Sequence, residues 1–552
     1  MHGLMMDAQL LVTNILRFAD ANFPETEVIS LAHDSPAGGH RTNYREVFAR
    51  SRRLANALAR LGVGQGDRVA TLAWNDHRHL ELYYAVSCMG AVCHTINPRL
   101  FSQQIEYIIA HAGDRIVFTD PMFVPLLEEL ADGLQQVQQI VVLTDEAHMP
   151  SSSLDLLCYE TLLASESDTY NWPELDEQAA AAMCYTSGTT GNPKGVVYSH
   201  RATVLHAYGA ALPDVMGLSA TDCVMPLVPM FHVNAWGVPY AAPMTGAKLV
   251  LTGPKMAHGE TLFNLIETEG VNYSLGVPTV WLGLLEWLES SGKRLTRLEK
   301  ICVGGAACPQ SVIERMERDH GVVVNHGWGM TEVSPLGVYN TLKPAQAALP
   351  DDERMAIRLK QGRGIFGVEM KIVDADDNEL PWDGKAFGAL KLKGPWVCSA
   401  YYGEEPGSAL DADGWFPTGD VATIDADGYM MITDRTKDVI KSGGEWISSI
   451  ELENIAVNHP GVAEAAVIGV AHPKWGERPL LIVVRADVPD TPDAQQLLGL
   501  YSGKVADWWV PDAVEFVAEL PHTATGKLLK TALREQFAGY RITDDQTVDD
   551  SA

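Results

Sequence analysis

The sequence predicts an α/β protein with a large, multi-subdomain N-terminal domain built on parallel βαβ sheets and a smaller, mobile C-terminal α+β domain. Three observations carry that expectation. The chain has 552 residues, and chains beyond about 250–300 residues divide into several cores. From Asp67 onward strand-like and helix-like patterns alternate, which calls for a parallel sheet with helices on both faces. Beyond residue 434 the pattern changes to a capped helix followed by long apolar strands. The expected division is 1–434, 435–540 and an acidic, disordered tail over 541–552.

The opening "MHGLMMDAQLLVTNILRFADANFP" has an apolar core interrupted by Asp7 and Asn14 and lacks a basic lead. It reads as a short amphipathic helix, not a signal peptide. "DRVATLAW", "AVCHTIN" and "RIVFTD" read as strands, with "HRHLELYYAVSCMG" and "SQQIEYIIAHAG" as the helices between them. After Gly246 the alternation resumes with "AKLVLTG", a helical "GETLFNLIETEG" and "VNYSLGVP". "LGVGQGDRVA" resembles a dinucleotide fingerprint only superficially. It follows a helix and precedes a strand, the reverse of the required order, and is read as a loop. In the C-terminal part, Ser448 and Glu451 have capping-box spacing for a helix running to Asn458. "VAEAAVIGV" and "LLIVVRA" follow as strands, and Asp493 to Trp508 as a further helix.

Composition narrows the function classes. Hydrophobic content of 46% and charged content of 20% are those of an ordinary globular protein. A formal net charge of −30 leaves no basic excess for nucleic acid or an anionic membrane surface. No apolar run is long enough to span a bilayer, so no stable membrane insertion is expected. The eight cysteines form no CxxC pair and several sit in apolar runs, which reads as buried free thiols in a reducing cytoplasm.

The chemistry concentrates at Cys184–His200, "CYTSGTTGNPKGVVYSH". Glycine, serine and threonine in such density offer backbone N–H groups and hydroxyls to one anion, with Lys194 supplying charge. It is not a Walker loop. Counting from Gly188, Pro193 stands where the second glycine belongs, and Gly195 where the Mg²⁺-ligating hydroxyl belongs.

"YTSGTTGNPKGV" resembles the phosphate loop of the adenylate-forming superfamily, which includes acyl-CoA synthetases, luciferases and peptide-synthetase adenylation domains. Four further stretches, in the same order, are similar to motifs of that family. They are "GWGMTE" (Gly327–Glu332), "GWFPTGD" (Gly414–Asp420), "DRTKDVIKSGGEWIS" (Asp434–Ser448) and "PHTATGKLLK" (Pro521–Lys530). The resemblance implies two steps: a carboxylate attacks the α-phosphate of ATP and expels pyrophosphate, then a thiol, usually that of coenzyme A, displaces AMP from the acyl-adenylate. No protein nucleophile is required, so positioning and charge stabilisation would supply the catalysis.

By that resemblance Thr186, Ser187, Gly188, Thr189, Thr190, Gly191 and Lys194 hold the β- and γ-phosphates. Thr331 meets the α-phosphate, and Glu332 with Thr190 ligates Mg²⁺. The adenine of ATP or AMP lies beside Gly304, Gly305, Ala306 and Ala307 and beside His326, Gly327, Trp328, Gly329 and Met330. Asp420 and Arg435 reach the ribose hydroxyls. Lys527 bridges carboxylate and α-phosphate as charge develops; Leu528 and Leu529 follow it, then Lys530, expected at the surface. Lys437 is the pivot of a rotating C-terminal domain. Gly443 and Gly444, with Lys441 nearby, line the approach of coenzyme A, Glu445 belongs to the cofactor-binding residues, and Trp446 lies near the adenine or the tunnel mouth.

The acid faces "MPLVPMFHVNAWGVPYAAPMTGAKLVL" (Met225–Leu251), which has no Lys or Arg before Lys248. Such walls suit an aliphatic chain and disfavour a second carboxylate. The resemblance places His232, Val233, Trp236, Gly237, Gly305 and Gly329 around the acid, with His232 at the acyl–thiol junction and Trp236 as a tunnel gate. Within the family the chain looks most like bacterial medium- and long-chain fatty acyl-CoA synthetases. "GGAACP" and "WGMTEVSPLG" resemble stretches of the 3-(methylthio)propionyl-CoA ligases. A short or medium acid, or one like 3-(methylthio)propionate, is therefore expected, with a long-chain acid or the loading of a carrier protein as alternatives. Relatives also imply a homodimer.

Overall fold

The computed structural model describes residues 1, 3–36, 38–186, 192–442, 445–488, 491–522 and 528–542, with the side chain of Glu445 also excluded. By packing, the chain divides into two compact units. One takes in 1–186, 192–369 and 393–416, and the other 187–191, 370–392 and 417–552. The second unit takes in segments before 434 along the chain, and a pivot at Lys437 remains a proposal.

The first unit carries two sheets. In the seven-stranded sheet the strands run Leu156–Cys158, Gln139–Val142, Ile116–Thr119, Arg68–Leu72, Val92–Thr95, Ala180–Tyr185 and Gly195–Ser199. Every neighbouring pair is parallel except the last. Val92–Thr95 and Ile116–Thr119 are buried along their whole length, as strands covered on both faces must be. The helix Ser102–Ala112 buries Ile105, Ile108, Ile109 and Ala112, one stripe of a 3.6-residue repeat, and ends on Gly113 at φ 69°. The helix His77–Cys88 is buried on every side and starts on Asp76, whose carboxylate accepts the His79 N–H. "LGVGQGD" is a loop between the helix Tyr44–Arg60 and the strand Arg68–Leu72, as expected.

The nine-stranded sheet has the order Arg363–Gly364, Leu336–Tyr339, Val323–Gly329, Lys300–Val303, Tyr273–Gly276, Cys223–Pro226, Lys248–Leu251, Glu27–Ser30 and His40–Asn43. Its apolar layer includes Trp281, Leu284, Ile301 and Val303. The N-terminal helix spans Val12–Asn22, shorter than the amphipathic pattern, because Met1 and residues 3–6 contribute no buried face.

The second unit holds a four-stranded sheet of Glu369–Val373, Phe387–Lys393, Phe416–Ile424 and Met430–Arg435. Its other sheet is built on the long antiparallel hairpin Val462–His472 and Gly476–Arg485, flanked by Ile440–Ser442 and the parallel strand Ala513–Phe516. The helix Ser449–Val457 starts where expected, with Ser448 Oγ accepting the Glu451 N–H. The expected helix from Asp493 to Trp508 is corrected. A helix covers only Ala494–Gly499, and turns with Gly503 at φ 69° follow, a conformation a helix does not contain. Among the described residues no helix is long and apolar enough to cross a membrane.

Candidate active site

The phosphate-loop sequence sits on the one antiparallel step of the seven-stranded sheet. Tyr185 pairs with Gly195, and beyond them the Thr186 N–H donates to the Lys194 carbonyl at 2.9 Å. The Lys194 N–H returns a bond to Thr186 Oγ1 at 3.2 Å. Ser187, Gly188, Thr189, Thr190 and Gly191 lie outside the described residues. Gly195 has no room for a side chain, since a Cβ there would stand 3.0 Å from both Tyr185 Cζ and Tyr402 Cβ.

Lys194 leaves the hairpin toward an acidic and aromatic group. Its Nζ is 3.3 Å from Glu404 Oε1 and 4.4 Å from the centre of the Tyr401 ring. Tyr401 in turn donates its hydroxyl to Glu332 Oε1 at 2.9 Å. Burial, and then the Glu332 charge, push the Tyr401 hydroxyl well above its ordinary pKa, so it stays a donor. Thr331 and Glu332 occupy the single turn Thr331–Val333 and are buried. Tyr198 of the strand Gly195–Ser199 donates to the Thr331 carbonyl at 2.8 Å, and the Cys398 N–H donates to the Glu332 carbonyl at 2.7 Å. Three stretches far apart in sequence, 194–198, 331–332 and 398–404, thus form one hydrogen-bonded group. Tyr198, Tyr401 and Glu404 were not legible as members of it, because single tyrosines and glutamates carry no local signal.

The nucleotide-side glycines have local structural reasons. Gly305 adopts φ 79°, and Gly304 is pressed from two sides: a Cβ there would lie 2.8 Å from Trp236 Cη2 and 3.0 Å from the Gly327 carbonyl oxygen. Gly329 is obligatory, since its Cβ would meet the Pro335 carbonyl oxygen at 2.0 Å. Ala306 and Ala307 are exposed, and Trp328 and Met330 half-buried. His326 is buried, and its Nε2–H donates to the Ala306 carbonyl at 3.3 Å. It braces the Gly304–Ala307 turn from behind. Burial lowers its pKa.

The acyl stretch is held in an unusual backbone. Val233, Asn234, Ala235 and Trp236 are left-handed, with φ of 46°, 51°, 47° and 55°, and Gly237 follows at 82°. Left-handed helical geometry costs about 1–2 kcal/mol per non-glycine residue, so neighbours must enforce it. Asn234 Oδ1 faces the Tyr83 hydroxyl at 3.1 Å and the Cys184 thiol at 3.4 Å. The same Tyr83 hydroxyl lies 2.5 Å from the Met230 carbonyl oxygen. Asn75 Oδ1 accepts the Met230 N–H at 2.6 Å, while its amide donates to the Val228 carbonyl at 2.9 Å. Gly237 packs on His206, whose Nε2 accepts the Leu336 N–H at 3.2 Å. That bond needs a neutral ring, and burial lowers the His206 pKa to about 4. The result brings Trp236 against Gly304 and leaves His232 exposed at the head of the turn.

In the second unit Asp420 and Arg435 face each other across two strands, with Arg435 Nη1 2.8 Å from Asp420 Oδ1. Asp420 is buried, and its N–H donates to Thr418 Oγ1 at 3.1 Å. Lys437 is exposed, and partial desolvation lowers its pKa. Lys441 is exposed on the strand Ile440–Ser442, and its N–H donates to Glu477 Oε2 at 2.9 Å. The Trp446 ring lies 6.3 Å from that of Phe387. Gly443, Gly444 and Lys527 lie outside the described residues, as does the side chain of Glu445. Lys530 corrects the expectation of a surface residue, for it is buried against Glu453 and Ser449.

A divalent ion is testable on the donor set. Among the described residues, the one group of three side chains spaced to hold a metal is Asp34, Asp145 and His148. There Asp34 is already gripped by both Arg78 terminal nitrogens at 2.9 Å. Glu332 offers a single buried carboxylate. That fits Mg²⁺, which prefers one or two carboxylates together with phosphate oxygens and water to an all-protein cage.

Comparison with known proteins agrees in scale. The profile of the AMP-binding enzyme family matches residues 17–402, and that of the AMP-binding enzyme C-terminal domain matches 451–527. The chain is 51% identical over 540 residues to the 3-methylmercaptopropionyl-CoA ligase of Ruegeria lacuscaerulensis, covering 97% of this chain and 99% of that one. It is 48% identical over 549 residues to the medium-chain-fatty-acid–CoA ligase of Ectopseudomonas oleovorans, covering 99% and 100%. Among solved structures, ATP-bound MatB from Rhodopseudomonas palustris matches with a TM-score of 0.79 at 26% identity, over 96% of this chain and 99% of that one.

Proposed function

Because the chain belongs to the AMP-binding enzymes and, among them, to the acyl-CoA ligases, we propose that it joins a short or medium aliphatic acid, or a thioether acid such as 3-(methylthio)propionate, to coenzyme A at the expense of ATP. The observation that carries the choice of acid is the left-handed turn that sets Trp236 against Gly304 in an otherwise apolar stretch. An indole in that place shortens the space an acyl chain could enter. The kinship with a medium-chain ligase favours one second reading, in which the tunnel is deeper and fatty acids of medium or greater length are taken.

In the first half-reaction a carboxylate oxygen attacks the α-phosphorus and the bond to the pyrophosphate oxygen breaks. The 186–194 hairpin holds the departing phosphates, with Lys194 as the fixed cation. Glu332 and Thr190 would hold Mg²⁺, which would supply neutralisation of phosphate charge, and the Tyr401 hydroxyl fixes the orientation of the Glu332 carboxylate. Thr331 hydrogen-bonds the α-phosphate. Lys527 supplies the cation that stabilises charge spreading between carboxylate and phosphorus, where one well-placed donor is worth about 10²–10³ in rate. In the second half-reaction the thiol sulfur adds to the acyl carbonyl and AMP departs. His232 stands at that junction, and the backbone of Gly443 and Gly444, with Lys441, Glu445 and Trp446, guides the pantetheine arm. Asp420 and Arg435 hold the ribose through both steps. A homodimer and a cytoplasmic location belong to the same proposal and rest on kinship.

The test is a panel of acids from 3-(methylthio)propionate and butyrate to palmitate, with ATP and coenzyme A, measuring AMP and thioester. The expected result is highest kcat/KM for acids of three to eight chain atoms, and a shift to longer acids in Trp236→Ala. A preference for palmitate in the unmodified protein overturns the choice of acid. AMP without thioester would instead indicate a carrier protein as acceptor.

A further inference from the structure

Lys530 and Arg534 open successive turns of the helix Lys530–Gln536, one face of which is fastened to the segment carrying Lys437. Lys530 is 8% exposed, with Nζ 2.6 Å from Glu453 Oε1 and 2.6 Å from Ser449 Oγ. Ser449 passes the link on: its hydroxyl donates to Asp434 Oδ1 at 3.0 Å and its N–H to Asp434 Oδ2. Glu453 Oε1 also accepts the Val467 N–H at 2.7 Å, tying the cluster to the long hairpin. One turn along the helix, Arg534 Nη2 donates to Asp438 Oδ1 at 2.7 Å. Asp434 and Asp438 therefore bracket Lys437, and each is held, directly or through Ser449, by a cation of the same helix.

We propose that Lys530 and Arg534 are positioning residues for adenylation: they clamp the helix that follows Lys527 to the backbone on both sides of Lys437, so that the catalytic lysine and the pivot turn as one rigid piece. The inference rests on the assignment of Lys527 given above. Lys527 precedes Lys530 by three residues, a tether of at most about 11 Å. With Lys530 locked, the tether sweeps a small volume and the ammonium arrives oriented. With the helix loosened, the same rotation delivers it at random, which lowers the effective concentration of a group whose role is placement. The clamp is built of ion pairs within one unit, so rotation of that unit leaves it intact.

The test separates the half-reactions in the full chain, using acid-dependent ATP–pyrophosphate exchange for the first and thioester formation from preformed acyl-adenylate for the second. Asp438→Asn, which removes the buried carboxylate and leaves only the more exposed guanidinium without its partner, and Arg534→Ala, which removes the cation, are expected to lower kcat for exchange about 5- to 20-fold. KM values for ATP and acid should stay within about two-fold, thioester formation should stay near the unmodified rate, and Arg534→Lys should recover most of the loss. A purely structural role would lower both half-reactions together, and that result, or no loss in either, overturns the proposal. Lys527→Ala run in parallel separates the two claims. Exchange that survives in Lys527→Ala defeats the assignment of Lys527, whereas exchange lost there but intact in Arg534→Ala defeats the clamp alone.

Discussion

The acyl wall at 228–237 and the clamp joining 434–438 to 530–534 solve the same problem by opposite means. Each holds a short segment in place. The wall uses neutral partners: Tyr83, the Cys184 thiol and a neutral His206 meet the five left-handed residues, and Asn75 holds the chain just before them at Val228 and Met230. The clamp uses charge, with Lys530 on Glu453 and Arg534 on Asp438. Neutral hydrogen bonds are short-ranged and angular, so they fix a backbone in one conformation. Ion pairs are stronger when desolvated and tolerate small changes of angle, which suits a piece that is carried through a rotation. The proposed specificity surface and the proposed catalytic support thus differ in the chemistry of their anchors.

The largest expected effect comes from breaking the clamp at its buried end. Lys530→Met leaves Glu453 without its cation, and breaking a buried pair by removing one partner costs about 3–5 kcal/mol. Denaturant unfolding followed at the tryptophans of the second unit, Trp382, Trp446, Trp475, Trp508 and Trp509, should show that loss. Adding Glu453→Leu to Lys530→Met should restore much of it, because an apolar pair removes the stranded charge. If the single variant were as stable as the unmodified protein, the clamp would not be charge-dependent and the contrast with the wall would fail.

Much of the scaffold for both regions was legible in the sequence. Strand and helix alternation gave the parallel sheet, since strands such as Val92–Thr95 and helices such as Ser102–Ala112 announce themselves by local periodicity. The stretch Thr186–Lys194 stood out by residue type, but its place at the antiparallel end of the sheet did not. The left-handed turn was not legible. Only Asn234 among residues 233–236 favours that conformation, and the forces that impose it come from residues about 50 to 160 positions away. Lys530 was misplaced for a related reason. A lysine after two leucines at a helix start is ordinarily solvated, and its partners Glu453 and Ser449 lie on a different helix. The helix expected over 493–508 was overextended because apolar spacing continues past Gly499 while the backbone, through Gly503, does not.

Acid should act on the wall. His206 titrates at about 4 in the fold against 6.5 for an unburied ring, because burial disfavours its charged form. The stability its neutral ring carries is therefore complete above about pH 6.5 and is lost as pH falls toward 4, up to about 3 kcal/mol for a shift of this size. Protonation would also remove the acceptor used by the Leu336 N–H. Melting temperatures between pH 7.5 and 4.5 should fall more steeply for the unmodified protein than for His206→Gln, whose side-chain oxygen can still accept from Leu336. Equal slopes would place the acid sensitivity elsewhere, for instance at His79 or His200, which burial also lowers to about 4.

The smallest effect dissects the wall into backbone and side-chain contributions at a single residue. Asn234→Ala removes the acceptor facing Tyr83 and Cys184 and keeps a Cβ at φ 51°. Asn234→Gly removes the same acceptor but lifts the steric penalty, since glycine enters the left-handed region freely. If the turn is held against its own preference, alanine should cost about 2 kcal/mol and glycine about 1 kcal/mol less than alanine. The difference should reappear in chain-length selectivity, with Asn234→Ala accepting longer acids more readily because Trp236 is no longer held against Gly304. Were the two variants equally stable, the side-chain bonds alone would account for the wall. The left-handed backbone would then be a consequence of packing and not a strained state that the neutral anchors must oppose.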